Sequence, residues 1–599
     1  MINPFSVVSK YLKIFEGYLG RKIYIVFCLA VFAGLSESFG ILTILPWIDQ
    51  FNSNSELTQS GLISKLIVGF FDLIGINNSQ STFFIAILIG FILKALLLFS
   101  AFYISSRFRG LLIRKLKYKV YDGISNMTYE YYLKKDSGKF LNLINEQINR
   151  SGQAFNNIML LIIKIVSGFI YLSLALIVSF GFGLSALIIG LIILTIFQKI
   201  SKYIIKSTQR NIQENGNLSK KIIEILQSFK YLKATEKTTY SNKKVLKSIN
   251  SISRREANIN AAKGLANSVQ EPILVACMLT ILYVQLSVLG NPIAPSLITL
   301  ALFYRALNCL IGLQRNFQNL LEYGTSLEMV DDEYKLLKKN KEITKGREIS
   351  FRRNIQFENI YFSYEKKEKF VLNNINFKIS SLSTIAFVGS SGAGKSTLID
   401  LIFFVVKPQK GRILVDNQNI NDIDLKKWRN QIAYVSQDTA IFDDTIFFNI
   451  SLNEFNSNNN NLHKKNVIQA AKQAYIHDFI KTLPNGYNTI VGERGIKLSG
   501  GQKQRLFIAR ELYRKPKILI LDEATSSLDT KSEKFIKESI DLLKGKMTVI
   551  IIAHRLSTIK DVDYLYVLNK GEIIEEGTYK LLKADKKSHF SKLISLQQL

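Results

Sequence analysis

Apolar residues fall into six long blocks, all before residue 320: near 23–48, 83–106, 157–180, 184–200, 265–290 and 294–315. Most reach the roughly 20 residues that a helix needs to cross a bilayer core of about 30 Å. The pattern predicts six membrane-spanning helices, the short fourth block continuing into 201–206. Gly181-Phe182-Gly183 leaves room only for a tight turn between the third and fourth, and Asn291-Pro292 breaks the fifth from the sixth. The connections 107–156 and 201–264 are long and helix-friendly, which predicts helices that run on well past the bilayer. The first outer connection, about 49–82, reads as a loop. After residue 320 the pattern changes. Residues 321–350 are rich in Lys and Glu without a strong strand signal and read as a linker. Beyond 351, short unbroken apolar runs at Thr384–Val388, Lys517–Leu521 and Thr548–Ala553 predict buried parallel strands, hence an α/β domain. The expected organisation is therefore 1–320 membrane domain, 321–350 linker and 351–599 soluble domain.

Charge adds direction to this picture. The net charge is +31, a value that fits either nucleic acid or an anionic membrane surface. Its placement decides. Arg107, Arg109, Arg114, Lys115, Lys117 and Lys119 follow the second block, and Lys199, Lys202, Lys206, Arg210, Lys220 and Lys221 follow the fourth. The first outer connection holds Asp49, Glu56 and Asp72 against a lone Lys65. Basic residues concentrate on cytoplasmic loops, so both ends and the soluble domain are expected in the cytoplasm, and no nucleic-acid partner is expected. Cys28, Cys277 and Cys309 all lie in apolar runs, an odd count that gives neither a disulfide framework nor a metal site. The first apolar run is too long for the core of a cleavable signal and lacks a small-residue site after it.

The soluble domain carries the chemistry. Gly389-Ser390-Ser391-Gly392-Ala393-Gly394-Lys395-Ser396-Thr397 follows a strand and precedes a predicted helix, the context a phosphate-cradling loop requires. Glycines let backbone N–H groups turn inward around phosphates, and the following helix aims its positive end at the same anion. Lys395 is placed to reach the β- and γ-phosphates, and the Ser396 hydroxyl to ligate Mg²⁺. Ile518-Leu519-Ile520-Leu521-Asp522-Glu523 ends a strand in two acids. Asp522 suits Mg²⁺ and Glu523 suits a general base polarising the attacking water. Leu498-Ser499-Gly500-Gly501-Gln502 opens another helix that points at a phosphate.

These three motifs in this order resemble the ATP-binding cassette (ABC) family, and the resemblance covers the whole chain. It implies a multidomain membrane protein: a six-helix transmembrane domain of the type IV exporter kind, followed by an α/β P-loop ATPase domain. It further implies a Q-loop at Gln437, a switch histidine at His554, a D-loop at Ser526-Ser527-Leu528-Asp529, and adenine stacking on Tyr364, with Tyr361 and Phe362 as nearby competitors. Thr489-Ile490-Val491-Gly492-Glu493-Arg494-Gly495 resembles a motif found before the signature in exporters. In this family Ser499, Gly500, Gly501 and Gln502 complete the nucleotide site of an opposite subunit, so the implied partner is a second copy or a homologous half-transporter, with ATP and Mg²⁺ as cofactors. Coupling tips are expected at Met127-Thr128-Tyr129-Glu130-Tyr131-Tyr132 and around Gln213–Leu218.

Ionisable residues inside the apolar blocks are costly unless paired or facing water. Lys164 and Glu271 lie near the ends. Glu37, Lys94 and Arg305 lie deeper and read either as a mutual ion-pair lock or as a cavity wall for an anionic head group. Glu37 and Pro46 in the first block and Leu302-Phe303-Tyr304-Arg305 in the sixth resemble the branch with lipid-linked oligosaccharide flippases, although Ala306-Leu307-Asn308 replaces that branch's proline after the arginine. The expected function is an ATP-driven exporter or flippase of an amphiphile, such as a lipid-linked saccharide or other lipid, in a bacterial inner or cell membrane. The alternatives are a peptide or drug exporter, an importer or an ATP-gated channel. The first block begins near residue 23, which leaves no N-terminal peptidase and lowers the peptide reading.

Overall fold

The computed structural model describes residues 4–44, 46–47, 62–178, 198–283, 293–364, 369–436, 440–452, 460–492, 495–523, 530–553 and 559–597. The chain divides into two compact units, Met1–Met127 with Tyr131–Lys341, and Thr128–Glu130 with Glu342–Leu599.

The first unit is helical. Its elements are α1 (Pro4–Leu19), α2 (Tyr24–Leu42), α3 (Leu62–Ile74), α4 (Gln80–Ser125), α5 (Tyr129–Leu133), α6 (Ile148–Val178), α7 (Gln198–Gln227), α8 (Phe229–Ala234), α9 (Thr238–Tyr283) and α10 (Ile293–Lys339). Among the described residues, Arg21–Leu42, Gln80–Ser125 and Ser137–Ile177 are long and apolar enough to cross a membrane. Leu88, Ile89, Ile92, Leu93, Leu96 and Phe99 of α4 stay exposed, as expected of a surface that hydrocarbon covers. The fifth and sixth predicted spans fall in α9 and α10. Most of the fourth, and both Gly181-Phe182-Gly183 and Asn291-Pro292, lie outside the described residues. At 46 residues, α4 and α9 are each about 69 Å long at 1.5 Å per residue, so they extend well past a bilayer core.

Close approach of α2 to α4 depends on glycine. A Cβ on Gly90 would lie 3.0 Å from the Ser36 carbonyl oxygen and 3.3 Å from Gly40 Cα, and Ser36 Oγ donates to the Gly90 carbonyl at 2.9 Å. The larger core gathers Phe15, Ile23, Leu112, Leu116, Phe155, Ile158, Leu320, Leu327, Val330 and Leu337.

Three expectations change here. Residues 321–339, read as linker, continue α10. Leu320, Leu327, Val330 and Leu337 keep a helical period and are buried, while intervening charges that hid the pattern serve as anchors. Lys10 and Tyr11 of α1 reach Glu328 at 2.5 and 3.0 Å, and Tyr131 and Lys135 reach Glu333 at 2.6 and 2.9 Å. The first outer connection contains α3, whose Ile67 and Phe71 pack against Phe39 and Phe83. Gln213–Leu218 is not a tip: α7 runs straight through it, and the reversal comes at α8. Gly216 meets nothing within 4 Å and is carried inside the helix.

The second unit contains β1 (Asn354–Phe362), β2 (Leu372–Ser380), β3 (Thr384–Gly389), α11 (Lys395–Ile402), β4 (Lys410–Val415), β5 (Gln418–Asn419), β6 (Ile432–Val435), α12 (Ile446–Ser451), α13 (Asn460–Gln473), α14 (Gly500–Tyr513), β7 (Ile518–Asp522), α15 (Thr530–Leu543), β8 (Thr548–Ile552), β9 (Tyr564–Asn569) and β10 (Glu572–Gly577). A four-stranded antiparallel sheet runs β2-β1-β4-β5, and a six-stranded sheet runs β10-β9-β3-β8-β7-β6. In the larger sheet only the β9–β10 pair is antiparallel. Both its faces are covered. Ile385, Phe387, Ile518, Ile520, Ile550 and Ile552 join one core, while Ala386, Val388, Leu519, Leu521, Val549 and Ile551 join the other. Burial on both faces is why these strands are apolar at every position rather than at alternate ones. The C-terminal ends of β3 and β7 thereby come to one edge, where open α/β sheets bind ligands.

Candidate active site

The phosphate loop leaves β3 at Gly389 and enters α11 at Lys395. Its glycines are required by the backbone. Gly392 and Gly394 have φ of +77° and +102°, and a Cβ on Gly394 would lie 2.6 Å from Leu372 Cδ2. A Cβ on Gly389 would collide with the Leu568 carbonyl oxygen. Lys395 is 6% exposed, and its Nζ donates to the carbonyls of Gly389 (2.8 Å) and Ser390 (2.9 Å). Burial pulls this ammonium below the usual lysine range, against the opposing charges of Glu523 and Asp522. A cramped, glycine-lined loop closed by a buried cation fits a phosphate chain.

Asp522 ends β7 and is 9% exposed. Tyr434 on the neighbouring strand β6 donates its hydroxyl to Asp522 Oδ2 at 3.0 Å. Burial, then the Asp522 charge, raise the Tyr434 pKa, so the phenol remains a donor. Asp522 and the exposed Ser396 hydroxyl are hard oxygen ligands, the chemistry Mg²⁺ takes. Glu523 adopts φ +53° and donates its N–H to the Ile552 carbonyl at 3.2 Å. A non-glycine residue in this region costs about 1 kcal/mol or more and is concentrated at functional sites.

Tyr364 stands apart from its two competitors. Phe362 is buried and Tyr361 packs against Phe370 and Lys410, whereas Tyr364 is 42% exposed with the Phe362 ring against it edge-on at 5.0 Å. The signature opens α14 with a capping box: Ser499 Oγ accepts from the Gln502 N–H at 3.4 Å, and Gln502 Oε1 accepts from the Ser499 N–H at 2.8 Å. Nothing lies within 4 Å of a Cβ built on Gly500. Gln437, His554, Glu493, Arg494 and the D-loop Ser526–Asp529 lie outside the described residues.

Sequence reasoning missed Tyr434 and Arg510. Arg510 is 3% exposed, and its guanidinium donates to Asn449 O, Ala440 O and Asn449 Oδ1 at 2.5, 2.5 and 2.8 Å. It ties α14 to residues 440–449, and burial pulls its pKa down to about 10. A lone arginine after Leu506-Phe507-Ile508-Ala509 was the available signal; nothing in the sequence singled out Tyr434.

In the membrane unit, Glu37 is 1% exposed. Lys94 Nζ lies 2.5 Å from its Oε2 and Arg305 Nη1 3.4 Å from its Oε1, while Tyr171 donates its hydroxyl to the same carboxylate. Mutual pairing is thus present among these residues, with the Arg305 side chain 45% exposed. Separately, an open apolar groove of about 630 Å³ between α2, α3 and α4 is lined by Phe32, Leu35, Phe39, Phe71, Ile89 and Leu93.

Profiles of known families match both units: the ABC transporter transmembrane region over residues 23–309, and the ABC transporter profile over residues 372–526. The chain is 32% identical to an ATP-dependent lipid A-core flippase of Idiomarina loihiensis over 81% of this chain and 83% of that protein. It is 30% identical to the flippase of the same name from Haemophilus influenzae over 95% and 93%. A bacterial Atm1-family ABC exporter solved with ATP bound shares the fold, with a TM-score of 0.79 at 24% identity over 97% of this chain and 99% of that one. The chain thus belongs to the ABC transporter family as a half-size exporter, an integral membrane protein that joins a transmembrane domain to a nucleotide-binding ATPase domain and couples ATP hydrolysis to transport.

Proposed function

We propose that this protein is an ATP-driven flippase that moves a lipid-type amphiphile away from the cytoplasmic leaflet, working as a homodimer. The observation that carries the lipid reading is the likeness, along nearly the whole chain, to proteins named lipid A-core flippases. The geometry agrees with it. Glu37 on α2, Lys94 on α4 and Arg305 on α10 form a cluster with two cations around one carboxylate. A positive excess inside the membrane unit suits the anionic head of such a molecule. Both termini and the ATPase domain face the cytoplasm, in keeping with the basic residues of 107–119 and 199–221. The membrane domain extends to about Lys339, the end of α10.

In the motor, Tyr364 stacks on the adenine and Lys395 holds the outer phosphates. Ser396 and Asp522 hold Mg²⁺, which supplies charge neutralisation on the phosphates when bound. Glu523 takes the proton of the attacking water. Gln437 and His554 sense the γ-phosphate end of the site. The signature supports the dimer reading. Ser499 and Gln502 are already paired with each other, yet Gly500 leaves the helix start open to an approaching anion. The chain's own phosphate loop already has the N-terminus of α11 for that purpose, so the α14 terminus is suited to a phosphate held by another copy.

ATP hydrolysis by the protein reconstituted in zwitterionic vesicles, with and without lipids carrying phosphate-rich head groups, tests the cargo class. Stimulation by those lipids is expected; equal rates in both, with stimulation by peptides or cationic drugs, would reject it.

A further inference from the structure

Tyr364 is not held by stacking alone. Its hydroxyl donates to Asp400 Oδ2 at 2.9 Å and lies 3.4 Å from Thr397 Oγ1. Thr397 and Asp400 are three residues apart on α11 and so share one face of the helix that begins at Lys395. The ring is therefore fixed at two places, by the Phe362 edge and by its hydroxyl on the phosphate-loop helix, and it remains 42% exposed.

Asp400 does not owe its place to helix stability. It lies in the last turn of α11, where the helix dipole disfavours negative charge. Among the described residues it makes no ion pair with a cation. Burial pushes its carboxyl above the usual range, and the hydrogen bond from Tyr364 draws it back.

We propose that Asp400 is a positioning residue for nucleotide binding: it latches Tyr364 onto the phosphate-loop helix so that the ring is set for adenine before ATP arrives. The proposal rests on the reading of Tyr364 as the adenine partner. Ordering an aromatic side chain at the moment of binding weakens affinity, and a ring already ordered in the free protein avoids that loss. The latch acts on binding and not on the chemical step, so it shows in KM and spares kcat.

The test uses the full-length protein in lipid nanodiscs, with KM and kcat for ATP measured on D400A, D400N, Y364F, Y364A and the D400A/Y364F double variant. Y364A is expected to raise KM most. D400A and Y364F each raise it about three- to tenfold, the range of one hydrogen bond, with kcat of D400A within about twofold of the parent. D400N keeps an acceptor oxygen for the phenol and stays near the parent. The double variant is no worse than either single one, because both remove the same contact. A normal KM in D400A alongside a raised KM in Y364A overturns the latch and leaves the adenine reading standing, as does additivity in the double variant. A normal KM in Y364A overturns both. Nucleotide-free melting temperatures of D400A and D400N separate misfolding from weakened binding, and a D400N that binds as poorly as D400A while folding normally also counts against the latch.

Discussion

Glu523 shows how backbone and chemistry meet at one residue. The strand β7 ends at Asp522, and the next residue turns into the left-handed region, at φ +53°. The two acids therefore cannot continue the alternation of a strand. One is held by Tyr434, while the other heads the segment that follows. Glu523→Gln retains the shape and removes the proposed base. It is expected to bind ATP with near-parent affinity and to release phosphate about a hundredfold more slowly or worse; phosphate release near the parent rate would remove Glu523 from the role of base. A second residue, His477, reports on pH. It is 9% exposed, its Nδ1 lies 2.8 Å from the Tyr487 hydroxyl, and burial lowers its pKa. A base that holds its proton less tightly in the fold costs stability once the unfolded chain protonates, so the loss begins as pH falls below about 6.5 and grows until the folded imidazole is itself charged. Melting temperatures at pH 8 and pH 5.5 should therefore differ less for His477→Gln than for the parent; an unchanged difference would rule this histidine out.

At the scale of elements, the α2–α4 contact is the one most exposed to a single change. A methyl group at Gly90 would press on the Ser36 carbonyl and on Gly40. Gly90→Ala is expected to destabilise the membrane domain by about 1–3 kcal/mol, read as a lower melting temperature in detergent. Gly110→Ala, in the same helix with nothing within 4 Å, serves as the control and should not lower it. The same helices show how far the sequence could be read. Unbroken apolar runs located α2, α4 and α6, because a helix long enough to cross a bilayer needs about 20 predominantly apolar residues. They did not locate α3, whose apolar residues sit among Lys65 and Asp72 in a stretch that looked like a polar loop. Nor did they show that α10 continues to Lys339, because one buried stripe among many charges carries a periodic signal rather than a bulk one. In the ATPase domain the motifs singled out Lys395, Asp522 and Glu523 by their fixed spacing from a strand or helix, whereas Tyr364 kept Tyr361 and Phe362 as competitors. Tyr434 and Arg510 escaped because their roles come from strand pairing and from a buried hydrogen-bond network, which no local spacing encodes.

At the scale of the whole molecule, the chain joins a motor with a conventional nucleotide site to a membrane unit whose inner charges are arranged around one carboxylate. Burying Glu37 with two cations and a phenol gives each charge a partner, without which residues of this kind are costly at membrane depth. Two cations against one anion leave the cluster with a positive excess, and the Arg305 side chain is half-exposed. The central claim, ATP-driven movement of lipid by this protein, is tested most directly in proteoliposomes. A fluorescent lipid with a phosphate-bearing head group is placed in both leaflets, and the fraction open to an outside quencher is followed after ATP addition, with Glu523→Gln as the inactive control. The expected result is an ATP-dependent shift of the label away from the leaflet that faces the ATPase domains, absent in the control. Unchanged leaflet populations, while ATP is hydrolysed at full rate, would contradict it.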